Sequence, residues 1–183
     1  MTPVIYVYPP GNPVPDPVIL PQQVHGTRIV EIATGSESLA ECDGVWTTLD
    51  TFFLGVRTAD CAPVCLWDSK RIGIFHAGWR GLVDGIIEKA LTLFDNPQAW
   101  VGPLFPRFEI QRDGCAERIE QRFGTVFFSE DEGTLLFDFK SAIASTLPQA
   151  EFDPRSTFTT PTLASWRCDR TPARNTTVIH MSL

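Results

Sequence analysis

Two of the chain's three histidines and one of its five cysteines stand in short motifs of small and polar residues that interrupt apolar runs. The motifs are Gln23-Val24-His25-Gly26, Thr58-Ala59-Asp60-Cys61 and His76-Ala77-Gly78-Trp79-Arg80-Gly81. Two imidazoles and a thiolate make up the ligand set of a zinc site with three protein ligands and an open fourth position. Zinc so held polarises a substrate oxygen and makes hydroxide available near neutral pH, which suits hydrolysis or group transfer. Asp60, beside the cysteine, is a candidate to fix the second nitrogen of one histidine or to act as a general base. A second reading makes Cys61 a nucleophile and His76 its base. His25 separates the two, because a metal site needs it and a Cys-His hydrolase does not. Each residue taken singly also has a plain structural reading, as a packed and hydrogen-bonded side chain at a strand end. Copper is disfavoured, since multicopper centres need many more histidines than three.

The elements that must assemble these residues are mostly strands. Thr27 to Ile32 alternates like a half-buried strand, and the segments 45–48, 52–57, 63–67 and 71–75 are β-prone. Their near-continuous apolar character predicts strands covered on both faces. After Gly81 the period changes. Leu82, Val83, Ile86, Ile87, Ala90, Leu91 and Phe94 recur at helical spacing, which predicts one helix starting directly beyond the His76 motif. A second helix is predicted over 114–123 with Gly124 as its stop, and a third over 139–147, capped by Asp138 and ended by Pro148. Residues 156–160 and 176–181 read as late strands. Six prolines between residues 9 and 21 exclude helix there and predict an extended arm lying on a single domain spanning 1–183. The expected fold class is α/β (α+β), a mixed β-sheet sandwich layered with helices.

Composition narrows the function classes. Fifteen basic residues against 22 acidic ones give a net charge of −7, and no basic run offers a footprint for a phosphate backbone, so nucleic acid is not an expected partner. No run approaches membrane-spanning length, and the proline-broken N-terminus lacks the basic start of a signal peptide. Five cysteines, an odd number without CxxC spacing, read as reduced thiols of a cytoplasmic protein. Cys65 reads as a small buried hydrophobe, Cys42 as turn or core, and Cys115 and Cys168 as incidental.

At the three motifs the chain resembles the laccase-domain family, also called the YfiH-like or multicopper polyphenol oxidoreductase family. Asp43-Gly44-Val45-Trp46-Thr47-Thr48 and Gly55 to Val64 extend the similarity, which runs in family order over about residues 21 to 103. A looser match covers Ser165-Trp166-Arg167-Cys168-Asp169-Arg170. The resemblance implies zinc at His25, Cys61 and His76, phosphorolysis of purine nucleosides with phosphate as co-substrate, and adenosine deamination at the same site. Copper-dependent phenol oxidation is an older assignment for the family. The implied fold is also similar to that of the cytotoxic necrotizing factor deamidases, whose chemistry uses a cysteine and a histidine. Arg57, Arg80 and Arg167 are the expected contacts for phosphate. Two segments depart from the family pattern: the stretch before His25 is short and proline-rich, and a Gly-Pro-Cys-Ile-Gly-Pro loop is replaced by Gly102-Pro103-Leu104-Phe105-Pro106-Arg107.

Overall fold

A computed structural model describes residues 2–182. Two sheets dominate it. The four-stranded sheet has the order β1 (Pro3–Tyr8), β13 (Asn175–Met181), β5 (Phe53–Thr58), β2 (Val18–Ile19). The six-stranded sheet runs β12 (Glu151–Phe152), β8 (Gln98–Val101), β6 (Ala62–Trp67), β7 (Ile72–Ala77), β4 (Gly44–Thr47), β3 (Ile29–Glu31). A small third sheet places β11 (Thr134–Phe137) between β10 (Phe128–Asp131) and β9 (Phe108–Glu109). Parallel and antiparallel pairs occur in both large sheets, which makes the fold a mixed α+β one as the sequence predicts.

The period-2 pattern of the central strands explains the layering. On β6, Val64 and Leu66 join a core beneath the helices, while Cys65 faces a second core closed by the four-stranded sheet through Leu54, Val56 and Ile179. On β7, Phe75 and Ala77 take the helix side, and Ile72 and Ile74 take the sandwich side. His76 continues the Ile72–Ile74 face at the end of the strand. Apolar burial on both faces thus carries a polar side chain to the rim of the seam between the sheets.

Several elements differ from expectation. The apolar period from Leu82 to Phe94 forms two short helices, α1 (Trp79–Val83) and α2 (Ile86–Leu91). Gly85 lies between them at φ 88°, a left-handed conformation that ends α1 and that glycine adopts without steric cost. α1 begins inside the His76 motif rather than after it. Helices α3 (Gly114–Phe123) and α4 (Phe139–Thr146) match their predicted spans, and the Asp113 and Asp138 carboxylates accept the Cys115 and Ser141 amides at their starts. Residues 156–160 form a turn rather than a strand. There the Ser156 hydroxyl accepts from the Thr159 amide, and the Thr160 N–H donates to the Ser156 carbonyl. A short α5 (Trp166–Asp169) follows, capped by the Ser165 hydroxyl. The proline-rich segment carries no helix and includes β2, so that β1 and β2 occupy opposite edges of one sheet. Among the described residues, no helix is long and apolar enough to cross a membrane.

Candidate metal centre and its cavity

Each of the three motif residues comes from a different segment of the chain. His25 follows β2 in a loop, with φ at 64°. Cys61 ends the short turn that carries the chain from β5 in one sheet to β6 in the other. His76 sits on β7. Their ligand atoms lie within 4.8 Å of one another, with His25 exposed, Cys61 half-buried and His76 buried. The two imidazoles meet edge to face at a centroid distance of 4.8 Å. Such closeness depends on Gly78, where a β-carbon would come within 2.8 Å of His25 Cδ2 and 3.1 Å of Cys61 Sγ. At Gly81 a β-carbon would lie 2.9 Å from the Gly26 carbonyl. Both glycines of the His76 motif are therefore spacers that let the His25 loop approach.

Asp43, fully buried, organises the histidines. Its Oδ1 accepts the His25 backbone N–H at 2.9 Å and lies 2.8 Å from His76 Nδ1. Its Oδ2 accepts the amides of Val24 at 3.1 Å and Gly26 at 2.8 Å. Burial pushes the Asp43 carboxyl up, but His76 and these amides outweigh it and hold the pKa below its ordinary value. With Nδ1 committed to Asp43, the ring's Nε2 is left for Cys61. Burial works against charge on His76 too, yet Asp43 and Cys61 raise its pKa to about 9. For Cys61, burial raises the thiol, while hydrogen bonds and charge from His25 and His76 bring it down to about 6. Cys65, on the same strand but surrounded by apolar side chains, is pushed well up by burial.

The partner role expected of Asp60 thus belongs to Asp43. Asp60 has φ at 94° and its carboxylate is committed elsewhere: Oδ1 accepts the hydroxyls of Thr157 at 2.8 Å and Ser165 at 2.7 Å, and Oδ2 accepts the Arg167 backbone N–H at 2.7 Å. It pins α5 to the Cys61 turn. Nearby, the Asn175 side chain bonds the Thr58 carbonyl and both backbone polar groups of Ala164.

The cluster lies in the wall of a cavity of about 600 Å³ that Arg57, Arg80 and Arg167 also line. Arg167 packs its guanidinium 3.8 Å from the centre of the Phe108 ring, and Arg80 lies 4.6 Å from that of Trp79. Sequence reasoning missed Asp43, Gln23, Trp79, Trp166 and Arg174. Asp43 was visible as part of Asp43-Gly44-Val45 but not as a partner of His76, because only the β4–β7 pairing sets the two side by side. The Gln23 amide clamps the Arg57 backbone, donating to its carbonyl at 2.7 Å and accepting its N–H at 2.8 Å.

Two nitrogens and a sulfur converging beside a cavity, with one imidazole backed by a buried carboxylate, fit a metal ion held by three protein ligands with room for a fourth. Fold and site therefore define a mixed α+β protein with a His-Cys-His cluster, able to hold a metal ion, at the seam of two sheets. Residues 11–181 match the family described as multi-copper polyphenol oxidoreductase laccase, and the chain belongs to it. A purine nucleoside phosphorylase of Aquifex aeolicus is 30% identical over 172 residues, covering 88% of this chain and 82% of that protein. The purine nucleoside phosphorylase YfiH of Escherichia coli is 36% identical over 108 residues, 55% of this chain and 44% of that one. Against several such curated relatives the match spans less than half of their length. A solved structure from Neisseria meningitidis shares the fold at a TM-score of 0.82 and 22% identity, covering 91% of this chain and 76% of that one. Another, the YfiH protein of Bacillus licheniformis, gives a TM-score of 0.79 at 22% identity, with coverages of 90% and 74%.

Proposed function

We propose that this chain is a zinc enzyme that cleaves purine nucleosides with phosphate and deaminates adenosine at the same site. The observation that carries the reading is the convergence of His25, Cys61 and His76 within 4.8 Å on the wall of a 600 Å³ cavity also lined by arginines. Relatives named purine nucleoside phosphorylase support the substrate class. The nitrogen and sulfur donors suit zinc, and three histidines are too few for a multicopper centre. When bound, zinc would be held by His25, Cys61 and His76 and would supply Lewis acidity to a substrate in the cavity. The chain's own residues do the rest. Asp43 fixes His76 in the tautomer that presents Nε2. Arg57, Arg80 and Arg167 draw in an oxyanion and offset the charge that develops on it. Trp166, exposed in the cavity lining, supplies an aromatic face suited to a purine ring. Asp60 acts by holding the Arg167 backbone rather than as a proton carrier. Five free cysteines fit a reducing, cytoplasmic setting.

Incubating the purified protein with inosine and phosphate tests this, with release of hypoxanthine and ribose 1-phosphate as the expected result. Chelation and His25→Ala should each abolish it. A zinc-loaded protein that releases no base from any purine nucleoside would overturn the reaction.

One observation favours a second reading. Cys61 at about 6, His76 at about 9 and Asp43 behind His76 form a thiolate–imidazolium–carboxylate series suited to a Cys-His hydrolase. His25 decides between them: a hydrolase should survive His25→Ala, and a zinc enzyme should not.

A further inference from the structure

Helix α3 divides its charges between two faces. Arg118 and Arg122, one turn apart, pair with Asp84 and Glu88 at the end of α1 and in α2, and Ile119 beside them is buried. Asp113, Ala116, Glu117 and Glu120 line a cleft of about 410 Å³, which shares no residue with the cavity beside the His25-Cys61-His76 cluster. Phe128, Glu130 and Leu135, neighbours on one face of the β10–β11 hairpin, line it too. Ala116, Phe128 and Leu135 give the cleft an apolar floor, packed on the main core. Its remaining charge is negative. Arg112, the one cation among the lining residues, is held by Glu130 at 2.6 Å, and the Asp113 carboxylate is committed to the Cys115 amide. Among the described residues, Glu117 and Glu120 have no cation partner.

Strand β10 is also an open edge, because the order β10-β11-β9 pairs it on one side. The register sorts which of its groups face outward. The Leu135 carbonyl accepts the Ile110 N–H at 2.9 Å, away from β10, so Glu130 and Leu135 form a pair whose backbone groups do not bond each other. The turn sets the same alternation, with Glu132 at φ 45° and Gly133 at φ 81° closing the hairpin where Asp131 meets Thr134. The Glu130 N–H and carbonyl therefore point to the open edge. The Phe128 carbonyl does so as well, while its N–H is taken by the Thr125 carbonyl at 3.0 Å. Ser129, on the opposite face of β10, also lines the cleft, which brings the cleft to that edge. Val126, next to the cleft-lining Thr125, is 77% exposed.

We propose that the cleft between α3 and β10 docks an extended segment of another protein, rich in lysine or arginine with apolar residues among them. The segment adds a strand to β10 through the Glu130 N–H and carbonyl. Its inward apolar side chains settle on Phe128 and Leu135, and its inward cations meet Glu117 and Glu120. A second copy of this chain is the wrong occupant, because antiparallel addition at β10 sets the carboxylates of Glu130, Asp131 and Glu132 against the same groups of the other copy. The docking site is independent of the reaction proposed above.

A fluorescent peptide repeating lysine-lysine-valine-valine presents lysine and valine in turn on both faces of a strand, and its anisotropy with the full chain in low-salt buffer tests the site. Saturable binding is expected, and the same peptide with glutamate in place of lysine should not bind. The double variant Glu117→Gln, Glu120→Gln changes exposed positions on a helix and should keep the fold while weakening binding about tenfold. Proline is tolerated at an edge position whose N–H faces outward. Glu130→Pro should therefore lose about fivefold more affinity than Glu130→Gln, which removes the same charge and keeps the N–H. No binding by the wild type, or equal affinity in the double variant, overturns the proposal. Equal affinities of Glu130→Pro and Glu130→Gln, with spermine displacing the peptide, would reduce the cleft to a site for cations and overturn strand addition. Self-association of the chain that the peptide reverses would give the edge to a second copy and overturn it as well.

Discussion

Asp43 grips His76 twice: its carbonyl accepts the His76 backbone N–H at 2.7 Å, and its Oδ1 lies 2.8 Å from His76 Nδ1. The same carboxylate takes the amides of Val24, His25 and Gly26. One buried group therefore sets the orientation of both candidate imidazole ligands. Asp43→Asn must place an NH₂ group against N–H donors whichever way the amide turns. We expect it to lower zinc affinity about 10–100-fold and stability by about 1–3 kcal/mol. Competition titration against a chromogenic chelator, together with urea unfolding, measures the two effects. Unaltered zinc affinity would remove Asp43 from its positioning role.

Gly78→Ala separates site from fold. Gly78 has an extended backbone, φ −81° and ψ 167°, that alanine adopts freely, so the only conflict is with His25 and Cys61. The imidazole should swing away and the chain should stay folded. Circular dichroism should match the wild type, while bound zinc falls well below one equivalent. Full zinc occupancy in this variant would mean that the three groups need not approach as closely as the structure sets them.

The Asp60 carboxylate anchors groups about a hundred residues away in sequence, and its loss should be felt as stability. Asp60→Ala leaves two buried hydroxyls and one amide without an acceptor, a cost of about 2–4 kcal/mol. Proteolysis near α5 should accelerate in the variant. A stability equal to that of the wild type would show that water replaces the carboxylate.

Cys61 gives a pH signature in metal-free protein. Because the histidines bring its thiol to about 6, carbamidomethylation should rise as pH passes through about 6, well below the ordinary thiol range. Bound zinc should suppress the reaction until chelator is added. A midpoint near the ordinary value would separate Cys61 from the histidines.

Acid should unfold the protein through a few identifiable carboxyls. For Asp153, burial raises the pKa but the Arg155 side chain and amide prevail and lower it. Glu37 is brought from 4.5 to about 2, with desolvation opposed by hydrogen bonds from the Thr34 hydroxyl and the loop amides. A folded pKa below the unfolded one means stability that is complete above about pH 4.5 and is lost as pH falls towards 2. Urea midpoints measured across that window should drop in the wild type and less steeply in Glu37→Gln.

The strands around the site were legible in the sequence because apolar runs ending in histidine or cysteine motifs carry their own boundaries. The Gly124 stop of α3 and the Asp138 cap of α4 were legible for the same local reason. The break at Gly85 was not, since the apolar period continues through it and only the left-handed backbone interrupts the helix. Asp60 misled by adjacency. It neighbours Cys61 in sequence, yet its partners are Thr157, Ser165 and Arg167, and no local pattern encodes contacts across such a distance. Asp43 was hidden for the converse reason, because strand pairing rather than spacing brings it to His76.

The crossing turn that carries Cys61 from one sheet to the other has a thermodynamic consequence. His25 comes from beside the four-stranded layer, His76 belongs to the six-stranded layer, and Cys61 bridges them. An ion clasped by all three would act as a rivet through the two layers, and its binding free energy would add to the stability of the folded chain by mass action. Saturation with metal should therefore raise the melting temperature and slow hydrogen exchange at the sheet–sheet interface together, so that loading the site and locking the sandwich are one event.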